Sequence, residues 1–311
     1  MTILELFDRT VAMAPEATAV SAAGRATSYA ELSLLVNRMA NRLRERGGTP
    51  ESVVGVVLGG SLEAVVTVLA VWRAGAAFVP VDPAYPAARV RHILTDAGAE
   101  VVVTEENWAD LAAEGAALAE PRVFPANLAY LIYTSGSTGA PKGVMVSFGA
   151  LANYLDRLRG VLALEGPVSA LAHSSLAFDF SYASLLLPLI TGGRLTIADR
   201  DTEVGELVDL MRKTDLDLVR LTPSHIEAMA SASGDPRERT GPRAFLVGGE
   251  TLRAHHVATL RRLFPATSVY NHYGPTEAVI GRTVFAVDEG QEFRLDRYGS
   301  HDAIPIGRAF A

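Results

Sequence analysis

Residues 53–81, VVGVVLGGSLEAVVTVLAVWRAGAAFVPV, decide the fold class. The apolar run from Val53 to Leu58 reads as a buried strand, residues 61–74 as a helix, and Ala77 to Val81 as a second strand closed by Pro80 and Pro83. Strand, helix and strand in such quick succession form a right-handed parallel unit, which means an α/β architecture. From Leu62 to Val81 this is also the most apolar part of the chain. Glu63 and Arg73 interrupt it and Pro80 ends it, so it is not a membrane span.

Outward from this unit the alternation continues. Residues 29–46 place Leu32, Leu35, Val36, Met39 and Leu43 on one helical face with arginines opposite, and Gly47 and Gly48 stop the helix. Toward the other end, Glu100 to Thr104, Ala129 to Thr134, Arg194 to Ala198, Leu216 to Leu221, Ala244 to Val247 and Thr267 to Asn271 have strand character. Residues 149–161 and 203–213 have helical character, and the polar stretches 104–127 and 233–243 read as surface loops. A chain of 311 residues exceeds the size at which single cores stop growing, so two lobes of one unit are expected.

Bulk properties narrow the function. Hydrophobic residues make up 49% and charged residues 20%, the balance of a soluble globular enzyme. A net charge of −7 with no Lys/Arg-rich block argues against nucleic-acid binding. Cysteine is absent, which removes disulfides, thiolate zinc sites and a cysteine nucleophile together. The N-terminal MTILELFDRTVAMAPEA lacks the basic start and unbroken apolar run of a signal peptide, so a cytoplasmic location with no membrane partner is expected.

The strongest local feature is Tyr133 to Gly143, YTSGSTGAPKG, where an apolar strand enters a loop with three glycines, four hydroxyls and one lysine. Glycines let backbone N–H groups approach an anion, hydroxyls add neutral donors, and the lysine adds positive charge. Pro141 stands where the P-loop of nucleotide hydrolases needs glycine. A flexible linker is the bland alternative, but linkers rarely follow a buried strand or end in Pro-Lys-Gly. No G-x-S-x-G elbow or H-E-x-x-H motif occurs. His255 and His256 adjoin on a surface helix, where neighbours are expected to point apart and share no metal.

This loop resembles the phosphate-binding loop of the adenylate-forming superfamily, and other pieces match in order. Thr27 to Leu32 (TSYAEL) and Arg73 to Pro83 (RAGAAFVPVDP) resemble the first two structural motifs of amino-acid adenylation domains of nonribosomal peptide synthetases. Phe178 to Ser181 (FDFS), Asn271 to Glu277 (NHYGPTE) and Ile304 to Arg308 (IPIGR) resemble later ones. The fold so implied is the N-terminal core of an adenylate-forming enzyme. That core has two doubly wound, mostly parallel sheets packed with helices, plus part of a β-barrel subdomain at its C-terminal end.

The resemblance also implies roles. Thr134, Ser135, Gly136, Ser137, Thr138, Gly139 and Lys142 would hold the phosphates of ATP. Gly248, Gly249, Glu250, Asn271, Tyr273, Gly274 and Thr276 would surround the nucleotide. Thr276, Glu277 and Lys142 would serve the chemistry, with Glu277 as the Mg²⁺ ligand; a hard carboxylate oxygen suits an ion that keeps most of its waters. The implied reaction is attack of a substrate carboxylate on the α-phosphorus, which needs positioning and charge neutralisation rather than a triad. The implied partner is a peptidyl carrier protein, in cis or in trans, whose phosphopantetheine thiol takes the aminoacyl group; a small MbtH-like helper protein is a further partner the resemblance allows.

By the same matching, Asp179, Phe180, Ala183, Arg220, Leu246, Gly248, His272, Ile280 and Gly281 line the substrate pocket. Asp179 would pair with the substrate's α-ammonium, which aryl- and fatty-acid enzymes have no need to bind. Arg220 interrupts an otherwise apolar strand and wants an anion, unless it pairs with Asp217 or reaches solvent. His272 could add a second donor or charge. The expected substrate is L-aspartate or a close acidic analogue, with asparagine next.

Two departures from the pattern stand out. Phe148 occupies a position where histidine is common, removing a polar handle expected near the pocket. After Ala311 the family continues with a ribose-binding aspartate, a hinge and a small C-terminal domain, so the chain is expected to be a core portion, impaired when alone. Competing readings are an acyl-CoA or aryl-acid ligase of the same superfamily and a non-catalytic ATP-binding module.

Overall fold

The computed structural model describes residues 2–113, 123–134, 141–231, 241–287 and 299–309. In chain order the described elements begin with α1 (Ile3–Met13), β1 (Thr18–Ala22), β2 (Arg25–Ser28), α2 (Tyr29–Glu45), β3 (Val53–Val57), α3 (Leu62–Ala74) and β4 (Ala77–Pro80). Then come α4 (Ala87–Asp96), β5 (Val101–Thr104), α5 (Trp108–Leu111), β6 (Leu128–Thr134), β7 (Lys142–Ser147), α6 (Phe148–Val161) and β8 (Ala170–Ala172). The rest are α7 (Tyr182–Thr191), β9 (Leu195–Ile197), α8 (Val204–Lys213), β10 (Leu218–Leu221), α9 (Pro223–Met229), β11 (Ala244–Val247), α10 (Ala254–Leu263), β12 (Ser268–Tyr273), β13 (Thr283–Ala286) and β14 (Arg308–Ala309).

The deciding unit folds as read: β3 and β4 pair in parallel across α3. They belong to a five-stranded sheet of order β5-β3-β4-β6-β7, parallel except for the β6–β7 pair. The second sheet has nine strands, β14-β13-β12-β11-β10-β8-β9-β1-β2. Its centre, from β12 to β1, is parallel, and both ends are antiparallel. The C-terminal strands β13 and β14, expected to begin a barrel, pair onto the edge of this larger sheet.

Three apolar clusters define the layers. The largest lies between the sheets, where α1, α2, α3, α6 and α7 contribute Phe7, Leu32, Trp72, Leu151 and Leu186. A second covers the far face of the larger sheet under α8, α9 and α10, and a third covers the outer face of the smaller sheet under α4. The near-continuous apolar reading of the strands follows, since a parallel sheet is buried on both faces.

Several elements escaped the sequence reading. The β1–β2 hairpin turns through Ala23 and Gly24, both left-handed at φ 48° and 73°, a turn whose usual asparagine signal is absent. The stretch 104–127, read as loop, holds the single turn of α5, fixed by Trp108 Nε1 donating to the Glu63 carbonyl. Phe148 is a core residue, set edge-on to Trp72 at 5.4 Å between ring centroids, so its place in α6 is explained by packing rather than by the pocket.

The early motifs act as fasteners. Ser28 caps α2 with Glu31 in a capping box, which aims the helix so that Tyr29 is fully buried. The Tyr29 hydroxyl is shared between the carbonyls of Pro188 and Gly193, 2.9 and 2.8 Å away, locking α2 to the end of α7. Arg73 forms a two-pronged pair with Asp8 of α1. Removing the hydroxyl in Tyr29→Phe takes a donor from the Gly193 carbonyl, while the Pro188 carbonyl keeps the Gly192 and Gly193 amides. It is expected to cost about 1–3 kcal/mol, read as a lower urea midpoint at unchanged m-value.

Candidate functional site

Register and alternation build the site. Arg220, Leu246 and Tyr270 lie side by side on β10, β11 and β12. Side chains alternate along a strand, so Gly248 and His272, two residues on, share their face, while Asn271 and Tyr273 take the other. Leu218, Ala244, Leu246 and Tyr270 accordingly enter the inter-sheet cluster, and Val219, Phe245, Val247 and Val269 enter the cluster under α8–α10. The expected pocket residues Arg220, Leu246, Gly248 and His272 are thus brought together by one face of three strands. Ala183, in the first turn of α7, and Ile280 join Leu246 in the same apolar cluster.

Arg220 is 2% exposed and neither reaches solvent nor pairs with Asp217, whose carboxylate accepts from the Ser169 amide. Its Nη2 donates to His272 Nδ1 at 3.2 Å and its Nη1 to the Tyr154 hydroxyl at 3.4 Å. The guanidinium carbon stacks 4.0 Å from the centre of the Phe180 ring, and Nε is buried without a partner. Because Arg220 can only donate, His272 Nδ1 must accept, which places the ring proton on Nε2 beside Tyr154. Burial and then the Arg220 charge push the His272 pKa well down. His272 therefore orients the guanidinium as a neutral ring, and the expectation that it adds charge is corrected. Tyr154 was missed by the sequence reading, because one tyrosine on the apolar face of α6 looks like ordinary core; burial holds its phenol protonated, with its pKa raised to about 12.

Asp179 opens a 3-10 turn, Asp179–Ser181, leading into α7. One of its carboxylate oxygens is buried without a hydrogen-bond partner. Burial raises its pKa, opposed by the Arg220 charge, the Thr276 hydroxyl and the amides of Ile280 and Phe180. Thr276 opens a short turn, Thr276–Ala278, which is followed by Val279 and Ile280 at φ 60° and 66°. Two successive β-branched residues in the left-handed region store roughly 1–3 kcal/mol each. Gly281 then lies so near His272 that an added Cβ would stand 2.0 Å from Nε2.

On the opposite face a hollow of about 360 Å³ is lined by Gly249, Glu250, Asn271, Tyr273, Gly274 and Ile304, with His272 contributing to its wall. Tyr273 is 53% exposed at its rim. Asn271 donates to the carbonyls of Ile304 and Pro305 at 3.1 and 2.9 Å, fixing the far wall. Glu250 accepts from the Ser224 hydroxyl at 2.7 Å. The Thr276–Ala278 turn packs on β7, whose first residue, Lys142, pairs in register with Thr134. Glu277 and Lys142 are exposed. The expected phosphate contacts of Ser135, Gly136, Ser137, Thr138 and Gly139 fall outside the described residues.

Comparison with known proteins bears on the family and the fold. The family described as AMP-binding enzyme matches residues 7–305. The chain belongs to that family. It is 34% identical to surfactin synthase subunit 2 of Bacillus subtilis (strain 168) over 92% of its length, spanning 9% of that protein. It is 30% identical to tyrocidine synthase 3 of Brevibacillus parabrevis over 98% of its length, spanning 5% of that one. The chain is thus a small fraction of these relatives' length. Among solved structures, the nonribosomal peptide synthetase FmoA3 superposes over the whole chain with a TM-score of 0.87 at 28% identity, covering 34% of that chain. The Klebsiella oxytoca NpsA N-terminal subdomain shares the fold, with a TM-score of 0.85 at 20% identity, 98% of this chain and 79% of that one. The resemblance to a synthetase adenylation core read from the motifs is borne out.

One expectation fails elsewhere. His255 and His256 do not point apart; their ring centroids are 3.9 Å apart. Both residues sit at the start of α10, where His256 Nδ1 folds back to accept from the Arg253 amide at 3.0 Å and His255 Nδ1 donates to the Ser300 carbonyl at 2.8 Å. Terminal hydrogen bonds, rather than helical spacing, set the rings.

Asn271 holds the hollow's far wall in place through two carbonyls. Asn271→Ala releases the Ile304 and Pro305 carbonyls and is expected to weaken AMP binding about ten-fold by calorimetry, the worth of one to two lost hydrogen bonds.

Proposed function

We propose that this chain forms the nucleotide- and substrate-binding core of an enzyme that joins an amino acid to AMP at the expense of ATP, for loading onto a carrier-protein phosphopantetheine thiol. A substrate carboxylate oxygen bonds to the α-phosphorus as the bond to pyrophosphate breaks. The observation that carries this reading is that β12 presents His272 to the Asp179–Arg220 pocket and Asn271 and Tyr273 to the 360 Å³ hollow. Amino acid and nucleotide bound in these two places would meet at one strand end, where proximity favours the transfer. FmoA3, the relative whose fold matches, has been solved in an AMPPNP-bound form.

Tyr273 offers the hollow an aromatic face, and Lys142 and Thr134 flank the stretch read as phosphate-gripping. Glu277 is exposed and forms no hydrogen bond or ion pair among the described residues, as suits a Mg²⁺ ligand that leaves most positions to water. Mg²⁺ bound there would supply charge neutralisation for the phosphates.

In the pocket, Asp179 and Arg220 present opposite charges behind apolar walls, a complement to an amino acid with an acidic side chain. The α-ammonium meets the Asp179 carboxylate and the side-chain carboxylate meets the guanidinium, whose planar fork favours two-pronged contact. L-Aspartate or a close acidic analogue is the expected substrate, with asparagine next. An aryl- or fatty-acid substrate would leave a buried carboxylate uncompensated.

In pyrophosphate exchange with the full-length protein, aspartate is expected to lead a panel of amino acids, and Arg220→Met to remove that lead by at least about ten-fold. Leucine or phenylalanine leading would overturn the substrate assignment, and no exchange with any amino acid would overturn the activity. The pH dependence follows from Asp179. Its pKa is raised by burial, amine binding needs the ionised form, and so KM for the amino acid is expected to climb as pH falls through a midpoint above the ordinary aspartate range. A KM that stays flat down to that ordinary range would count against the role of Asp179.

A further inference from the structure

The histidine pair at the start of α10 lies across the larger sheet from the Asp179 pocket, since α9 and α10 pack on its other face. Glu227 of α9 stands opposite. Its Oε1 is 3.1 Å from His256 Nε2 and 3.9 Å from His255 Nε2, and all three atoms lie within 4.8 Å of one another. Such spacing is near that of donor atoms sharing one metal ion with bonds of about 2 Å.

The tautomers sharpen this geometry. The Ser300 carbonyl only accepts, so His255 carries a ring proton on Nδ1, and Nε2, the ring atom facing Glu227, is the nitrogen open to a metal. His256 has the opposite tautomer: Nδ1 accepts from the Arg253 amide, leaving Nε2–H to donate to Glu227. One carboxylate oxygen is thus held by the His256 donor while the second imidazole turns its Nε2 to the same oxygen from 3.9 Å. Two convergent acceptors invite a cation. A buried histidine bonded to a ligating carboxylate is also the usual outer support of a metal site.

We propose that Glu227 and His255 bind a divalent transition-metal ion, with His256 as a positioning residue that fixes the carboxylate. One imidazole nitrogen and one carboxylate oxygen suit Zn²⁺ or Ni²⁺ better than Mg²⁺ or Ca²⁺. Glu227 is 64% exposed, so water fills the remaining positions and the ion exchanges freely. His301, its ring centroid 5.4 Å from that of His255, borders the site. Through His255 and Ser300 the ion braces the chain that continues to Ile304, a wall of the nucleotide hollow.

The test is calorimetric titration of the tag-free, full-length protein with ZnCl₂ and, separately, NiCl₂ at neutral pH. The expected result is one saturable site per chain. His255→Ala and Glu227→Gln each abolish it, His256→Phe weakens it about ten-fold, and His256→Gln, whose amide still donates to Glu227, restores most of it. If wild type and His255→Ala bind alike, or if wild type shows no saturable binding, the contact is a histidine–carboxylate ion pair and the proposal fails. Wild-type binding in His256→Phe, or no recovery in His256→Gln, would remove the positioning role.

Discussion

The alternation of side chains along β10, β11 and β12 is the constraint on which this molecule's chemistry rests. Three parallel strands in register place Arg220, Leu246 and Tyr270 in one row, and a step of two residues adds Gly248 and His272. The intervening residues are committed to the other face. A shift of one residue in any of these strands would turn the pocket inside out. The apolar clusters on both faces oppose such a shift, since each depends on the same parity.

Within that frame, a permanent charge is held by neutral groups. The guanidinium of Arg220 is contacted by a phenol, an uncharged imidazole and an aromatic face. None of them cancels its charge, and Asp179 acts on it only as a neighbouring field. Burial disfavours both charges when empty. A ligand that pairs with both groups relieves both costs at once. Selectivity in such a pocket comes mainly from what the wrong ligand leaves unpaired.

Much of the fold was legible because buried parallel strands announce themselves as short apolar runs between punctuating glycines and prolines. Val53–Val57, Ala77–Pro80 and Ala244–Val247 were found this way, within a residue or so of the structure. The β1–β2 hairpin was not, because Ala23 adopts a backbone usually signalled by asparagine or glycine. The C-terminal strands β13 and β14 could not be placed from sequence, since pairing onto a distant edge leaves no local trace. At the site, motif residues around Asp179 and Asn271 were legible as a set, whereas Tyr154 was not, since its role depends on α6 crossing over β10. The histidine pair was misread for a related reason: helical spacing governs side chains in the middle of a helix, and the capping bonds of Arg253 and Ser300 govern them at its first turn.

Val279 and Ile280 have a further bearing. A turn kept in an unfavourable backbone region sits above its own minimum, so the Ile280 amide that meets Asp179 is delivered by a segment whose energy falls when it moves. Occupancy of the pocket that lets this turn relax would gain affinity beyond its direct contacts. Diversifying such a site by altering the turn itself would disturb the carboxylate's surroundings along with the walls, whereas changes on α6 would reshape the pocket and leave that backbone alone.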